Sequence, residues 1–175
     1  MKEVYILEHA SASEESLTNQ GKQECLALKQ RVPQFNIVIS SREEANQVTA
    51  KTITGKKPII DSRAGDLKTL NWWEKKKSEA PTIFLPGQYG GVQHTDLYRK
   101  PSQEAGEKLI ALVKEVIKKL PKDGKALIIS HNRNMIAAEA IIHKERLVAQ
   151  DHTFHGLQGY MIDEELNFHS FEVFP

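Results

Sequence analysis

Two apolar runs, far apart in the chain, each end on a histidine. Val4-Tyr5-Ile6-Leu7 leads into Glu8-His9-Ala10, and Ala126-Leu127-Ile128-Ile129 leads into Ser130-His131-Asn132. Short runs that are apolar at every position read as strands buried on both faces, the pattern of a parallel sheet. In an open α/β sheet, sites form at the carboxyl ends of such strands. His9 and His131 are therefore expected to meet at one site.

The rest of the chain alternates in the same way. A strand over about 3–7 precedes a helix opened by Leu17-Thr18, with Thr18 as N-cap, Cys25, Leu28 and Val32 as its buried stripe, and Pro33 as its stop. Asn36–Ser40 reads as a strand, Glu43 to Thr54 as a helix ended by Gly55, and Pro58–Ile60 as a short strand. Leu109, Leu112, Val113, Val116, Ile117 and Leu120 recur at helical spacing, with Ser102 as cap and Pro121 as stop. Lys125–Ser130 is a strand, Asn134–His143 a helix, and Gly156–Ile162 and Asn167–Phe174 are two final strands joined by Asp163-Glu164-Glu165. This order predicts a three-layer α/β domain over residues 1–175, with a mostly parallel mixed sheet between helices. Residues 61–101 form an irregular insert holding Trp72, Trp73, a Lys75-Lys76-Lys77 run and His94. Such excursions carry substrate contacts or a lid, or are a variable loop.

Composition excludes several classes of function. With 24 Lys and Arg against 23 Asp and Glu, the net charge of +1 gives no pull towards nucleic acid or membrane. One cysteine, Cys25, rules out an internal disulfide and suits a reducing compartment. Glu8 and His9 interrupt the first apolar run, so it does not read as a signal peptide, and no run reaches transmembrane length. A cytoplasmic protein is the expectation.

Four segments, in order, carry a resemblance. They are Glu8-His9-Ala10; Leu17-Thr18-Asn19-Gln20-Gly21-Lys22-Gln23-Glu24-Cys25; Ser40-Ser41-Arg42-Glu43-Glu44-Ala45-Asn46-Gln47-Val48-Thr49-Ala50; and Ser130-His131-Asn132. Together they resemble the histidine phosphatase (phosphoglycerate mutase-like) superfamily. Its pattern is Arg-His-Gly, then Leu-Thr-x-x-Gly-x-x-Gln/Glu-Ala, then Ser-Ser-Pro-Leu-x-Arg-Ala-x-Gln-Thr-Ala, then Ser-His-Gly. The resemblance covers nearly the whole chain. It implies that His9 attacks phosphorus and becomes phosphohistidine, which needs a neutral imidazole with one nitrogen free. It implies that His131 donates hydrogen bonds to the phosphoryl oxygens. In the family, two arginines neutralise the charge that spreads over those oxygens, and a carboxylic acid protonates the leaving oxygen. Asp66, ahead of Trp72-Trp73-Glu74, is the candidate acid, with a solvated loop carboxylate as the alternative.

The sequence departs from this pattern where charge matters most. Glu8 and Ala45 stand at the two arginine positions, and Ala10 and Asn132 at the glycines. An arginine about 4 Å from a phosphate charge contributes roughly 4 kcal/mol at an effective dielectric of 20, and an ionised, inward-facing glutamate opposes by a similar amount. Arg42, Arg133 and Arg63 are the nearby substitutes, and backbone N–H groups after Ser41 and His131 could also hold an anion. Ser41 reads as a nucleophile beside a histidine or as a cap, and His94 as a pocket wall or a surface residue.

The remaining histidines read plainly. His143, His152 and His155 are close in sequence but lack a zinc-ligand pattern, and His169 alternates within the last strand. No metal and no cofactor is expected. Three readings stay open. One is a divergent phosphohydrolase acting on a small phosphorylated molecule. Another is a relative without catalysis that binds a ligand or partner. The third is a metal-assisted or otherwise altered hydrolase built on Glu8, His9 and His131, although neighbouring strand residues face opposite sides. Phosphatase against mutase, the substrate and the oligomeric state are not legible.

Overall fold

The computed structural model describes residues 1–13, 16–65, 96–143, 154 and 156–171, with backbone alone at 96–102 and 170–171. The elements are β1 (Glu3–Glu8), α1 (Asn19–Lys29), β2 (Ile37–Ser40), α2 (Glu44–Thr54), β3 (Ile59–Ile60), a 3-10 turn (Ser62–Ala64), α3 (Asp96–Lys119), β4 (Lys125–Ser130), α4 (Asn132–Ile142), β5 (Gly159–Asp163) and β6 (Phe168–Phe171). They build one six-stranded sheet in the order β3-β2-β4-β1-β5-β6. The first four neighbours run parallel. β5 is antiparallel to β1, and β6 to β5. The expected α/β fold with a mostly parallel mixed sheet is what forms.

Strand alternation sorts the core into two layers. Val4 and Ile6 of β1 and Ala126 and Ile128 of β4 face the side covered by α3 and α4. Tyr5, Leu7, Leu127 and Ile129 face the side where Cys25 and Leu28 of α1 and Ala50 and Ile53 of α2 pack. Each fully buried Leu or Ile here contributes about 1.5–3 kcal/mol. The α3 stripe from Leu109 to Leu120 is buried as its spacing predicts. Gly106 lets α3 approach α4 closely, since a Cβ there would stand 2.7 Å from the Ala137 carbonyl carbon. Tyr160 is fully buried in the same layer, and its hydroxyl donates to Met135 O at 3.0 Å.

Local chemistry sets the ends of the elements. Thr18 caps α1 by accepting from Gly21 N at 3.0 Å, as expected. Gly55 closes α2 at φ 72°, a left-handed conformation that glycine adopts freely. Several boundaries differ from expectation: α1 ends at Lys29, before Val32 and Pro33, and β5 starts at Gly159, not Gly156. α3 starts at Asp96, not at Ser102, so the expected insert of 61–101 ends sooner. Pro101 falls in the second turn of α3, where it removes one helical hydrogen bond. α4 starts at Asn132, two residues earlier than expected, directly after His131. Among the described residues no helix is long and apolar enough to cross a membrane.

The register of β1 with β4 positions the site. Glu8 pairs with Ser130, so both strands end level. His9 and His131 leave the sheet side by side.

Candidate active site

His9 and His131 stand with ring centroids 5.4 Å apart and planes at 76°. A backbone carbonyl fixes the His9 ring, and side chains hold His131. His9 Nδ1 lies 2.8 Å from Ala10 O, so Nδ1 carries the proton and donates to that carbonyl, leaving the Nε2 lone pair free. The loop itself is tied to α2, because Ala10 N donates to Thr49 Oγ1 at 3.2 Å. Removal from water lowers the His9 pKa, and His131 adds to this; the Ala10 carbonyl and Glu43 oppose it. His9 is thus a neutral imidazole near pH 7, as nucleophilic attack requires.

His131 occupies the N-cap position of α4, with Nε2 3.1 Å from Glu43 Oε2 and 3.5 Å from Asn46 Nδ2. Burial alone would raise the Glu43 pKa, but hydrogen bonds from His131 and Ser41 outweigh it and lower it. Glu43 is therefore ionised and accepts from His131 Nε2–H and from Ser41 Oγ. Ser41 Oγ is engaged with Glu43 and does not cap α2.

Glu8 is where the structure corrects the sequence most. Its Oε1 lies 3.2 Å from His9 Nε2. Neighbouring strand residues diverge, but β1 ends at Glu8 and His9 lies one residue beyond it, where alternation no longer holds. Removal from water pushes the Glu8 carboxyl up to about 8, while the Asn132 backbone N–H and the charge of Arg133 pull it down less. Near pH 7 the protonated form predominates and its O–H donates to His9 Nε2. The opposition to phosphate expected from an ionised Glu8 is therefore largely absent. Glu8 also takes the Asn132 N–H at the start of α4, one of the backbone donors expected to hold an anion.

The candidate arginines part company. Arg42 is exposed. Arg63 is engaged elsewhere, donating to Asp61 Oδ2 at 2.6 Å and to Glu115 Oε2 at 2.8 Å. Arg133 is half-buried, and its charge reaches Glu8. Asp66 and His94 lie outside the described residues, as do Trp72, Trp73, His152 and His155.

A cavity of about 740 Å³ opens in front of the pair, with His9, His131, Glu43, Glu44 and Ala45 in its lining. Sequence reasoning missed Glu43. The signal was its place in the Ser40–Ala50 segment, where a carboxylate stands at an apolar position of the resembling pattern, beside Ala45 at the arginine position. Gly65 closes the site from behind: the chain at Ala64 is held by Ser130 Oγ, which donates to Ala64 O. Among the described residues, those that could hold a metal are Glu8, His9 and His131, whose ligand atoms all lie within 4.8 Å of one another.

Comparison with solved structures gives the chain the histidine phosphatase fold. The particular structures it is similar to are few in residues shared but complete in extent. YhfR of Bacillus stearothermophilus superposes with a TM-score of 0.73 at 17% identity, over 97% of this chain and 95% of that one. Phosphoserine phosphatase of Entamoeba histolytica, solved with 3-phosphoglyceric acid, gives 0.71 at 14% identity over 100% of both chains. Mycobacterial glucosyl-3-phosphoglycerate phosphatase gives 0.68 at 15% identity, again over 100% of both. No family model and no curated protein sequence matches the chain.

Proposed function

We propose that the protein is a phosphohydrolase that acts on a small phosphorylated molecule through a phosphohistidine at His9. One observation carries this: His9 Nδ1 is anchored on Ala10 O at 2.8 Å, which leaves Nε2 as an unprotonated nucleophile at the cavity. Two of the similar structures are phosphatases, which supports the reaction class. In the first step the Nε2 lone pair forms a bond to phosphorus, the bond to the leaving oxygen breaks, and that oxygen takes a proton. In the second, water attacks phosphorus, the N–P bond breaks, and phosphate leaves with His9 neutral again.

Glu8 must release Nε2 before attack. Its protonated carboxyl can then donate to a phosphoryl oxygen, beside the Nε2–H of His131. Arg133 is assigned the charge that spreads over those oxygens. Asp66, next to Gly65 in the chain, is the candidate donor to the leaving oxygen. A binding protein without turnover is the second reading, favoured by the Glu8 carboxyl resting on Nε2.

Hydrolysis of an aryl phosphate and a panel of small phosphate monoesters, with a chelator present, tests the proposal. Turnover by the wild type that falls to the solvent rate in His9→Ala supports it. Equal turnover by His9→Ala refutes the covalent route, and an inert wild type leaves the binding reading.

A further inference from the structure

We propose that Glu8, His9 and His131 form a binding site for one divalent transition-metal ion of the zinc type, and that the bound ion blocks the nucleophile. The binding half stands on geometry alone; the blocking half rests on the proposed phosphohydrolase.

Ligand spacing is the first argument. Oxygen and nitrogen ligands at tetrahedral zinc stand about 3.3 Å apart, given bonds of roughly 2.0–2.1 Å. Glu8 Oε1 and His9 Nε2 are already 3.2 Å apart. All three ligand atoms fall within 4.8 Å of one another, so the His131 nitrogen needs a shift of no more than about 1.5 Å. Rotation of its ring away from Glu43 supplies that shift.

The second argument is what surrounds the ligands. A metal-binding imidazole needs its other nitrogen held by an acceptor, and Ala10 O does this for His9. Among the described residues, Glu8 Oε2 is buried with no hydrogen-bond partner, and so is Glu43 Oε1. Buried carboxylate oxygens without donors are rare and costly, and a cation satisfies them. Glu43, 3.1 Å from His131 Nε2, lies outside the trio and can accept from a water on the ion. Arg133 opposes a cation here, while Glu43 and Glu8 favour one, the ion displacing the Glu8 proton into solvent. Two imidazoles and a carboxylate suit zinc, iron, cobalt or nickel better than magnesium or calcium.

The consequence is exclusion. The Nε2 lone pair of His9 cannot bind a metal and attack phosphorus at once. Zinc would therefore act as a reversible brake.

Metal-stripped full-length protein, titrated with zinc against a chromophoric chelator, is the test, with circular dichroism as the check that each variant folds. One equivalent should bind, weakened at least about tenfold in Glu8→Gln and in His131→Gln, and unchanged in His169→Gln. Cobalt in place of zinc should give the strong visible bands of a four-coordinate site in the wild type and lose them in Glu8→Gln. No stoichiometric binding, or binding that survives both Glu8→Gln and His131→Gln, overturns the site. Aryl phosphate turnover separates the two halves: inhibition by one equivalent of zinc, reversed by chelator, supports the brake, and activation refutes it. Zinc binding without any turnover keeps the site and ends the phosphohydrolase reading. Turnover without zinc binding does the reverse.

Discussion

Gly65 lies against the imidazole of His131: a Cβ on this glycine would stand 2.6 Å from His131 Cδ2 and 2.9 Å from Ser41 Cβ. Its φ of −173° is extended backbone that any residue adopts, so the requirement is space and not conformation. The segment after β3 is thus packed onto the second histidine, and its next residue in sequence is Asp66.

Gly65→Ala should therefore damage the site more than the fold. The ring can rotate aside at modest cost, but its Nε2 then leaves the position opposite His9. Displacements near 1 Å at a reacting centre cost up to about a hundredfold in rate. Aryl phosphate turnover should drop tenfold or more, by order of magnitude, while the melting temperature moves by only a few degrees. Wild-type turnover in Gly65→Ala would mean that His131 does not contact the transferring group.

Arg63→Ala separates a structural arginine from a substrate-binding one. Arg63 is committed to Asp61 and Glu115. These contacts are part-exposed, so their loss costs about 1 kcal/mol and lowers the melting temperature by roughly 2–4 °C. KM for a phosphate ester should stay unchanged. A severalfold rise in KM without loss of stability would move Arg63 into the site.

Acid stability has an identifiable contributor at the β5–β6 turn. Burial works against ionisation of Asp163, yet hydrogen bonds from His169, from the Asn167 side chain and from the backbone N–H groups of Asn167 and Glu165 hold it at about 2. A carboxyl whose folded pKa lies below its unfolded value stabilises the fold above the unfolded pKa, and loses this as pH falls through the folded one. Asp163→Asn should thus cost on the order of 1 kcal/mol at pH 6, allowing for screening at the exposed His169. The difference should shrink between about pH 4 and pH 2 in urea midpoints. A difference constant over that range would show that the charge of Asp163 does not matter.

Much of this architecture was legible because buried parallel strands leave continuous apolar runs. β1 and β4 were read nearly to the residue, and so was the buried stripe of α3. Thr18 and Gly55 announced helix ends through chemistry local to them. Other features depend on partners distant in sequence. Nothing near Arg63 indicates that Glu115 will hold its guanidinium. Period-two alternation placed Glu8 and His9 on opposite faces, because sequence does not mark the residue at which a strand stops. Glu43 read as an ordinary acid at a helix start, and only its contact with His131 gives it a role. Ser102 concealed the first turns of α3 by reading as its cap, whereas the helix starts at Asp96. Asp66 and His94 fall outside the described residues.

The central claim is a covalent intermediate on His9. The most direct measurement mixes the metal-stripped protein with a phosphate monoester, quenches in alkali, where phosphohistidine survives, and maps the phosphoryl group by peptide mass spectrometry. The account predicts phosphate on the peptide carrying His9, formed no more slowly than turnover and absent from His9→Ala. Turnover with no phosphoryl-protein, or with the label on any residue other than His9, would contradict it.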